Sequence, residues 1–179
     1  MKFDFYLYKK YLNLKNIKEI SKAANKYADV NLKDGKDKNA VKTANVKIVE
    51  YRYIKQHLER LVDIIDRANK QHFGFNLYSI NECDCIHLNE YFPNDSVGYD
   101  WHSDGDKNHA DDVKLTTLVN LSTKKYEGGE LKIFNCDKIN FNEPGDVLIF
   151  KSFLPHKVEK VISGKRTTLS LWMEGPCFK

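Results

Sequence analysis

Three side chains in this sequence have the types and the spacing to hold a metal ion. His102 and Asp104 stand in the run Tyr99-Asp100-Trp101-His102-Ser103-Asp104, and His156 follows about fifty residues later, just after the apolar run Val147 to Phe150. In an extended strand alternate side chains share a face, so His102 and Asp104 point the same way and Ser103 turns aside. An HxD pair joined by a distant histidine can place two imidazoles and a carboxylate on one face of an octahedral iron(II). The opposite positions then stay open for a bidentate co-substrate and for O2, which a closed structural site does not offer. Asp106 is a substitute ligand two residues further on. An isolated HxD is more simply a surface ion pair, so the surrounding sequence has to decide.

The elements that must position these residues are mostly strands. Asp84 to Tyr91 alternates, with Ile86 and Leu88 on one face and Cys85, His87 and Asn89 on the other, and a turn signal follows at Pro93-Asn94-Asp95. The chain resumes at Gly98 into the His102 strand, and the two strands are expected to form a hairpin-like pair. Further short strands are expected at Leu115 to Leu121, Glu130 to Phe134, Lys138 to Phe141, Val147 to Phe150, His156 to Val161 and Thr167 to Met173. Turn formers separate them at Gly128-Gly129, Pro144-Gly145-Asp146 and Ser163-Gly164. Short strands at near-regular intervals with no helices between them predict a sandwich or barrel, read here as a jelly-roll.

Two helices precede them. Leu14, Ile17, Ile20, Ala24 and Tyr27 recur at helical spacing over Leu14 to Ala28, with Asn13 placed to cap. Ile54, Leu58, Leu61, Val62, Ile65 and Ala68 give an apolar stripe over Ile54 to Ala68, which must be buried against the sheet. Between the helices, Asn31 to Asn39 is polar with a central Asp34-Gly35 and reads as a loop before the short alternation Val46, Ile48.

Composition bounds the rest. The 179 residues, 41% hydrophobic and 30% charged, suit one domain: residues 1–75 as helical support and 76–179 as the jelly-roll core with the metal site. The net charge of +4 comes from Lys spread along the chain, not from a block, which disfavours nucleic acid as a partner. Four cysteines, two of them in Cys83-Asp84-Cys85, make neither a zinc set nor a disulfide framework and are expected to be reduced. No apolar stretch is long enough to span a membrane and no leader pattern opens the chain, so a soluble cytoplasmic protein is expected.

The carboxy-terminal half resembles the Fe(II)/2-oxoglutarate-dependent oxygenases, within them the prolyl-4-hydroxylase-like branch with prokaryotic and phage members. The residues that carry the resemblance are Tyr91, Gly98-Tyr99, His102-Ser103-Asp104, Tyr126 to Leu131, Pro144-Gly145-Asp146, Phe150, His156, Val158 and Gly164-Lys165-Arg166, in that order along the chain. It implies a double-stranded β-helix buttressed by the amino-terminal helices. It also implies Fe(II) held by His102, Asp104 and His156, with 2-oxoglutarate and O2 as co-substrates and ascorbate as an accessory reductant.

Arg166 suits the distal carboxylate of 2-oxoglutarate, because a guanidinium is always charged and presents a planar fork. Period two places Thr168 beside it and sends Lys165 to the other face. The resemblance adds Tyr91, which in relatives points into the co-substrate pocket. Relatives that carry a tyrosine on the strand reading Leu118-Val119-Asn120 here differ from this chain. Trp101 and Trp172 are candidates for the substrate mouth. His57, His72, His87 and His109 are read as ordinary, and the polar loop from Asp104 to Asp112 as a flexible lid.

The implied reaction is hydroxylation of a C–H bond, in a prolyl residue of a peptide or protein by the branch resemblance. The alternatives are free proline or another small molecule, a nucleic-acid demethylase, and a non-catalytic jelly-roll binding module. Nucleic-acid demethylases of the superfamily typically carry a second Arg six residues after the first, where this chain has Trp172.

Overall fold

The computed structural model describes residues 4–28, 44–93, 98–104 and 111–177. The polar loop 31–39, residues 94 and 95 of the expected turn, Asp106, His109 and most of the expected lid lie outside them. Among the described residues, eleven strands and two α-helices make a mainly β architecture, with one six-stranded sheet ordered β1-β8-β5-β11-β3-β2. Its members are β1 (Phe5–Tyr8), β2 (Asn45–Glu50), β3 (Cys85–Tyr91), β5 (Asp111–Asn120), β8 (Val147–Lys151) and β11 (Arg166–Pro176). A three-stranded sheet ordered β4-β9-β7 is built from β4 (Tyr99–His102), β7 (Leu131–Ile133) and β9 (His156–Val158), and β6 (Glu127–Gly128) pairs with β10 (Val161–Ser163). All pairings are antiparallel.

Period-two patterning divides the large sheet into two faces. On one, Ile86, Leu88, Val119, Val147, Ile149, Leu169 and Leu171 pack against Ile17, Ile20, Ile54, Leu58, Leu61 and Ile65 of the helices. On the other, Tyr91, Leu118, Leu148 and Phe150 meet Leu131, Ile133, Val158 and Val161 of the smaller sheets. Helix α1 (Leu14–Tyr27) starts as expected, the Asn13 side chain accepting from the Asn16 N–H at 2.9 Å. Helix α2 (Tyr51–Ala68) begins three residues earlier than its stripe predicts and runs on through a π-helical turn, Asn69–Phe73. Gly74 closes that turn in the left-handed region at φ 74°, its N–H on the Asn69 carbonyl. No helix among the described residues is long and apolar enough to cross a membrane. No disulfide joins the described cysteines.

Three expectations are corrected and one strand is added. The strands 84–91 and 98–104 do not pair: β3 has β2 on one edge and β11 on the other, so no edge is left for β4, which crosses to the small sheet and pairs with β9. Residues 138–141 are not a strand. Their apolar side chains, Ile139 and Phe141, are buried in the inner core on irregular backbone, where the Lys9 ammonium donates to the Asn140 carbonyl at 2.7 Å. The expected strand 156–161 is divided between β9 and β10, which join different sheets. Finally, Phe5–Tyr8 is a strand the periodicity argument did not identify; its four half-buried residues pair with β8 at the sheet edge.

Candidate active site

The two histidines are brought together by strand pairing, since His102 at the end of β4 lies opposite His156 at the start of β9. Asp104, just past β4, is fixed by its own N–H, which donates to the Ser152 carbonyl at 3.0 Å. His102 Nε2 lies 3.6 Å from Asp104 Oδ1, and His156 Nε2 lies 3.6 Å from Asp104 Oδ2. Ligand atoms of the three side chains all fall within 4.8 Å of one another, and among the described residues no other cluster of three or more His, Cys, Asp or Glu does this.

The imidazole protons can be assigned. His102 Nδ1 lies 2.7 Å from the Asp100 carbonyl and His156 Nδ1 lies 2.9 Å from the Leu154 carbonyl. A carbonyl only accepts, so each Nδ1 carries a hydrogen, which leaves Nε2, on the Asp104 side, as the nitrogen available to a metal. The third member is also oriented: Thr116 on β5 donates its hydroxyl to Asp104 Oδ2 at 2.7 Å. Two imidazoles and one carboxylate, each held by an outer partner, form a donor set suited to a divalent first-row metal.

The three side chains line a cavity of about 180 Å³ together with Tyr91, Arg166 and Thr168. Arg166 is only 1% exposed, and its Nε and Nη2 have no hydrogen-bond partner among the described residues. The guanidinium lies 5.1 Å from the Tyr91 ring centroid and 6.0 Å from that of Phe141, so two aromatic rings flank it while two of its donors stay unmet among the described residues. Leaving charged donors buried and unpaired costs about 1–3 kcal/mol or more, which an anionic ligand reaching into the cavity would recover. Gly129 makes room for this arginine: at φ 68°, a Cβ there would stand 2.8 Å from Arg166 Cδ. The residues thus fit both a metal and a dicarboxylate.

On the far face of the same strand ends, Glu90 binds Lys165 at 2.8 Å and Lys47 at 3.1 Å. Burial pushes its carboxyl up, but hydrogen bonds from the two lysines outweigh this and hold it below the usual carboxylate range. Lys165 is therefore turned away from the cavity, as period two requires.

Some cavity residues escaped the sequence reading. His87, taken as ordinary, lines the cavity with its ring edge-on to Trp172 at 4.7 Å. Asn89 and Ser170 line it too, and Tyr99 stacks on His102 at 3.5 Å. The available signal was parity: His87 and Asn89 share a strand face with Tyr91. Trp172 lines the cavity as expected, whereas Trp101 does not; it is 44% exposed, with its ring against Phe134 and Lys157. His57 stays on α2 beside Gln56, and His72 stacks on Tyr6.

Comparison with known proteins agrees with this geometry. Residues 86–174 match the model of the 2OG-Fe(II) oxygenase superfamily. A PKHD-type hydroxylase of Prochlorococcus marinus strain AS9601 is 34% identical over 83 residues, which cover 44% of this chain and 37% of that protein. Among solved structures, the viral collagen prolyl hydroxylase of Paramecium Bursaria Chlorella virus-1, in its 2OG complex, superposes with a TM-score of 0.66 at 16% identity, covering 97% of each chain. A prolyl hydroxylase of Trichoplax adhaerens, in complex with a hypoxia inducible factor peptide fragment, gives 0.70 at 20% identity, covering 95% of this chain and 83% of that one. At such identities these structures establish the shared double-stranded β-helix. With the matched segment running from β3 through β11 and enclosing the His-Asp-His cluster, the chain belongs to the 2OG-Fe(II) oxygenase superfamily.

Proposed function

We propose that this protein is an Fe(II)- and 2-oxoglutarate-dependent dioxygenase that hydroxylates a C–H bond, with a prolyl residue of a peptide or protein as substrate. The observation that carries the reading is the buried Arg166, with Nε and Nη2 unpaired in the same cavity as the two imidazoles and the carboxylate. His102, Asp104 and His156 are assigned to the metal, and Arg166, Tyr91 and Thr168 to the co-substrate. Iron held by these three side chains would supply the redox chemistry for the O2-dependent oxidative decarboxylation of 2-oxoglutarate coupled to C–H hydroxylation.

The chain's own contribution is placement. Arg166 binds the distal carboxylate through a charged fork, Tyr91 and Phe141 keep that fork dry, and the carbonyls of Asp100 and Leu154 hold both imidazoles in the ligating tautomer. Leu118, Leu131 and Val158 supply apolar wall, limiting water around the reacting groups. The prolyl assignment is supported by the likeness to prolyl hydroxylases of viral and animal origin.

The test is an anaerobic titration with Fe(II) and 2-oxoglutarate, reading the visible metal-to-ligand charge-transfer band, followed by a mass-spectrometric screen of proline-containing peptides. A band that needs both additions, and a gain of one oxygen on a prolyl peptide, is the expected result. Metal-loaded, folded protein without the band would overturn the oxygenase reading. A band with turnover only on non-prolyl substrates would overturn the substrate assignment alone.

A further inference from the structure

Asn89 donates through Nδ2 to Ser170 Oγ at 2.9 Å and to the His87 carbonyl at 3.3 Å. The carbonyl can only accept, so the amide is pinned with its nitrogen toward Ser170. Ser170 Oγ therefore receives a hydrogen from Asn89, and its own O–H must donate elsewhere. Among the described residues Ser170 has no second partner, although it is buried and lines the cavity.

Strand register places that hydroxyl. On β11, Arg166 pairs with Tyr91, Thr168 with Asn89 and Ser170 with His87. Trp172, the next inward residue, pairs with Thr116, whose hydroxyl holds Asp104. Ser170 thus sits on the wall between the buried guanidinium and the ladder level of the histidine-carboxylate cluster. A dicarboxylate reaching from one to the other has to pass it. Apart from Asp104, no acidic side chain among the described residues lines the cavity, so donors on this wall face no competing anion from them.

We propose that Ser170, oriented by Asn89, is a further positioning residue that donates its hydroxyl hydrogen to a carboxylate oxygen of the 2-oxo acid. With Arg166 and Thr168 it forms a row of donors on one face of β11. The proposal rests on the assignment of 2-oxoglutarate to this cavity.

The test uses the full chain loaded with Mn(II), titrated calorimetrically with 2-oxoglutarate, and compares Ser170→Ala, Ser170→Thr and Asn89→Ala. Losing one hydrogen bond to a charged group should weaken binding by about tenfold in Ser170→Ala. Ser170→Thr should restore it, while Asn89→Ala should lose as much as Ser170→Ala, and the double variant no more than either. Mn(II) affinity measured without the 2-oxo acid should be unchanged in all of them. Wild-type affinity in Ser170→Ala, or failure of Ser170→Thr to restore binding, would overturn the proposal. Should Asn89→Ala fail to fold, the Ala and Thr variants of Ser170 decide alone. Absence of 2-oxoglutarate binding by the wild-type protein would show that the co-substrate assignment itself is wrong, and the proposal would fall with it.

Discussion

His102 and His156 face each other across β4 and β9 with ring centroids 4.1 Å apart, and each ties its Nδ1 to a backbone carbonyl two residues upstream, Asp100 and Leu154. The same local hydrogen bond is thus used twice to turn two Nε2 atoms toward one carboxylate. Orientation is settled by the fold before any ligand arrives, which lowers the entropy cost of assembling the site.

Replacing one of these rings should show whether they act as a set. His156→Ala should reduce Fe(II) affinity by more than the roughly 10- to 100-fold typical of losing an outer partner, and should remove the charge-transfer band. Competition with a chromophoric chelator measures the first; wild-type affinity would exclude His156 from the ligand set.

Thr116 acts one layer out. Thr116→Val keeps the volume but removes the 2.7 Å hydrogen bond to Asp104 Oδ2. Metal affinity should fall by about 10- to 100-fold, with the fold retained by circular dichroism.

Arg166 should trade stability for binding. Arg166→Met removes a buried charge with two unmet donors, so the ligand-free protein should gain about 1–3 kcal/mol in chemical denaturation. The same variant should lose the stabilisation that 2-oxoglutarate confers on the metal-loaded wild type. A less stable ligand-free variant would mean that the guanidinium is satisfied in solution by other means.

Two glycines offer a matched comparison. Gly74 and Gly129 both have positive φ, 74° and 68°, but a Cβ at Gly74 meets nothing within 4 Å whereas one at Gly129 meets Arg166 Cδ at 2.8 Å. Each alanine substitution should cost about 1–2 kcal/mol for the left-handed backbone. Only Gly129→Ala should also weaken 2-oxoglutarate binding; equal affinities in the two variants would refute the crowding argument.

Glu90 predicts an acid limb. Burial raises its carboxyl, and hydrogen bonds from Lys165 and Lys47 lower it further than burial raises it, to a net value below the ordinary 4.5. A depressed folded value contributes stability that is fully present above the unfolded value and is lost as pH falls through the folded one. Between pH 5 and the acid transition, Glu90→Gln should flatten part of the decline in urea midpoint; an unchanged slope would remove Glu90 from the account.

Helix α2 was legible because a stripe such as Ile54, Leu58, Leu61 and Ile65 has one way to be buried, and α1 because Asn13 marks its start. The metal-binding pattern was legible because the HxD spacing fixes the shared face of His102 and Asp104 within one strand. Short-range rules also placed Thr168 beside Arg166 and turned Lys165 away. They could not say which strand edges meet. That β4 leaves β3 and pairs with β9 depends on β2 and β11 having filled both edges of β3, a competition among segments far apart in the chain.

The cavity wall was hidden for the same reason. A polar residue at an alternate strand position looks identical whether its face meets solvent or an internal cavity, so Thr116 and Ser170 had no signature of their own, and His87 and Asn89 had only their shared parity with Tyr91. The donor types, the helices and the facing of the strands that carry the site could be read residue by residue, because these follow from local geometry and side-chain chemistry. Which faces enclose the cavity, which carbonyls orient the histidines and that Arg166 is buried without a partner among the described residues emerge with the assembled fold, because each depends on register between strands that the chain brings together from a distance.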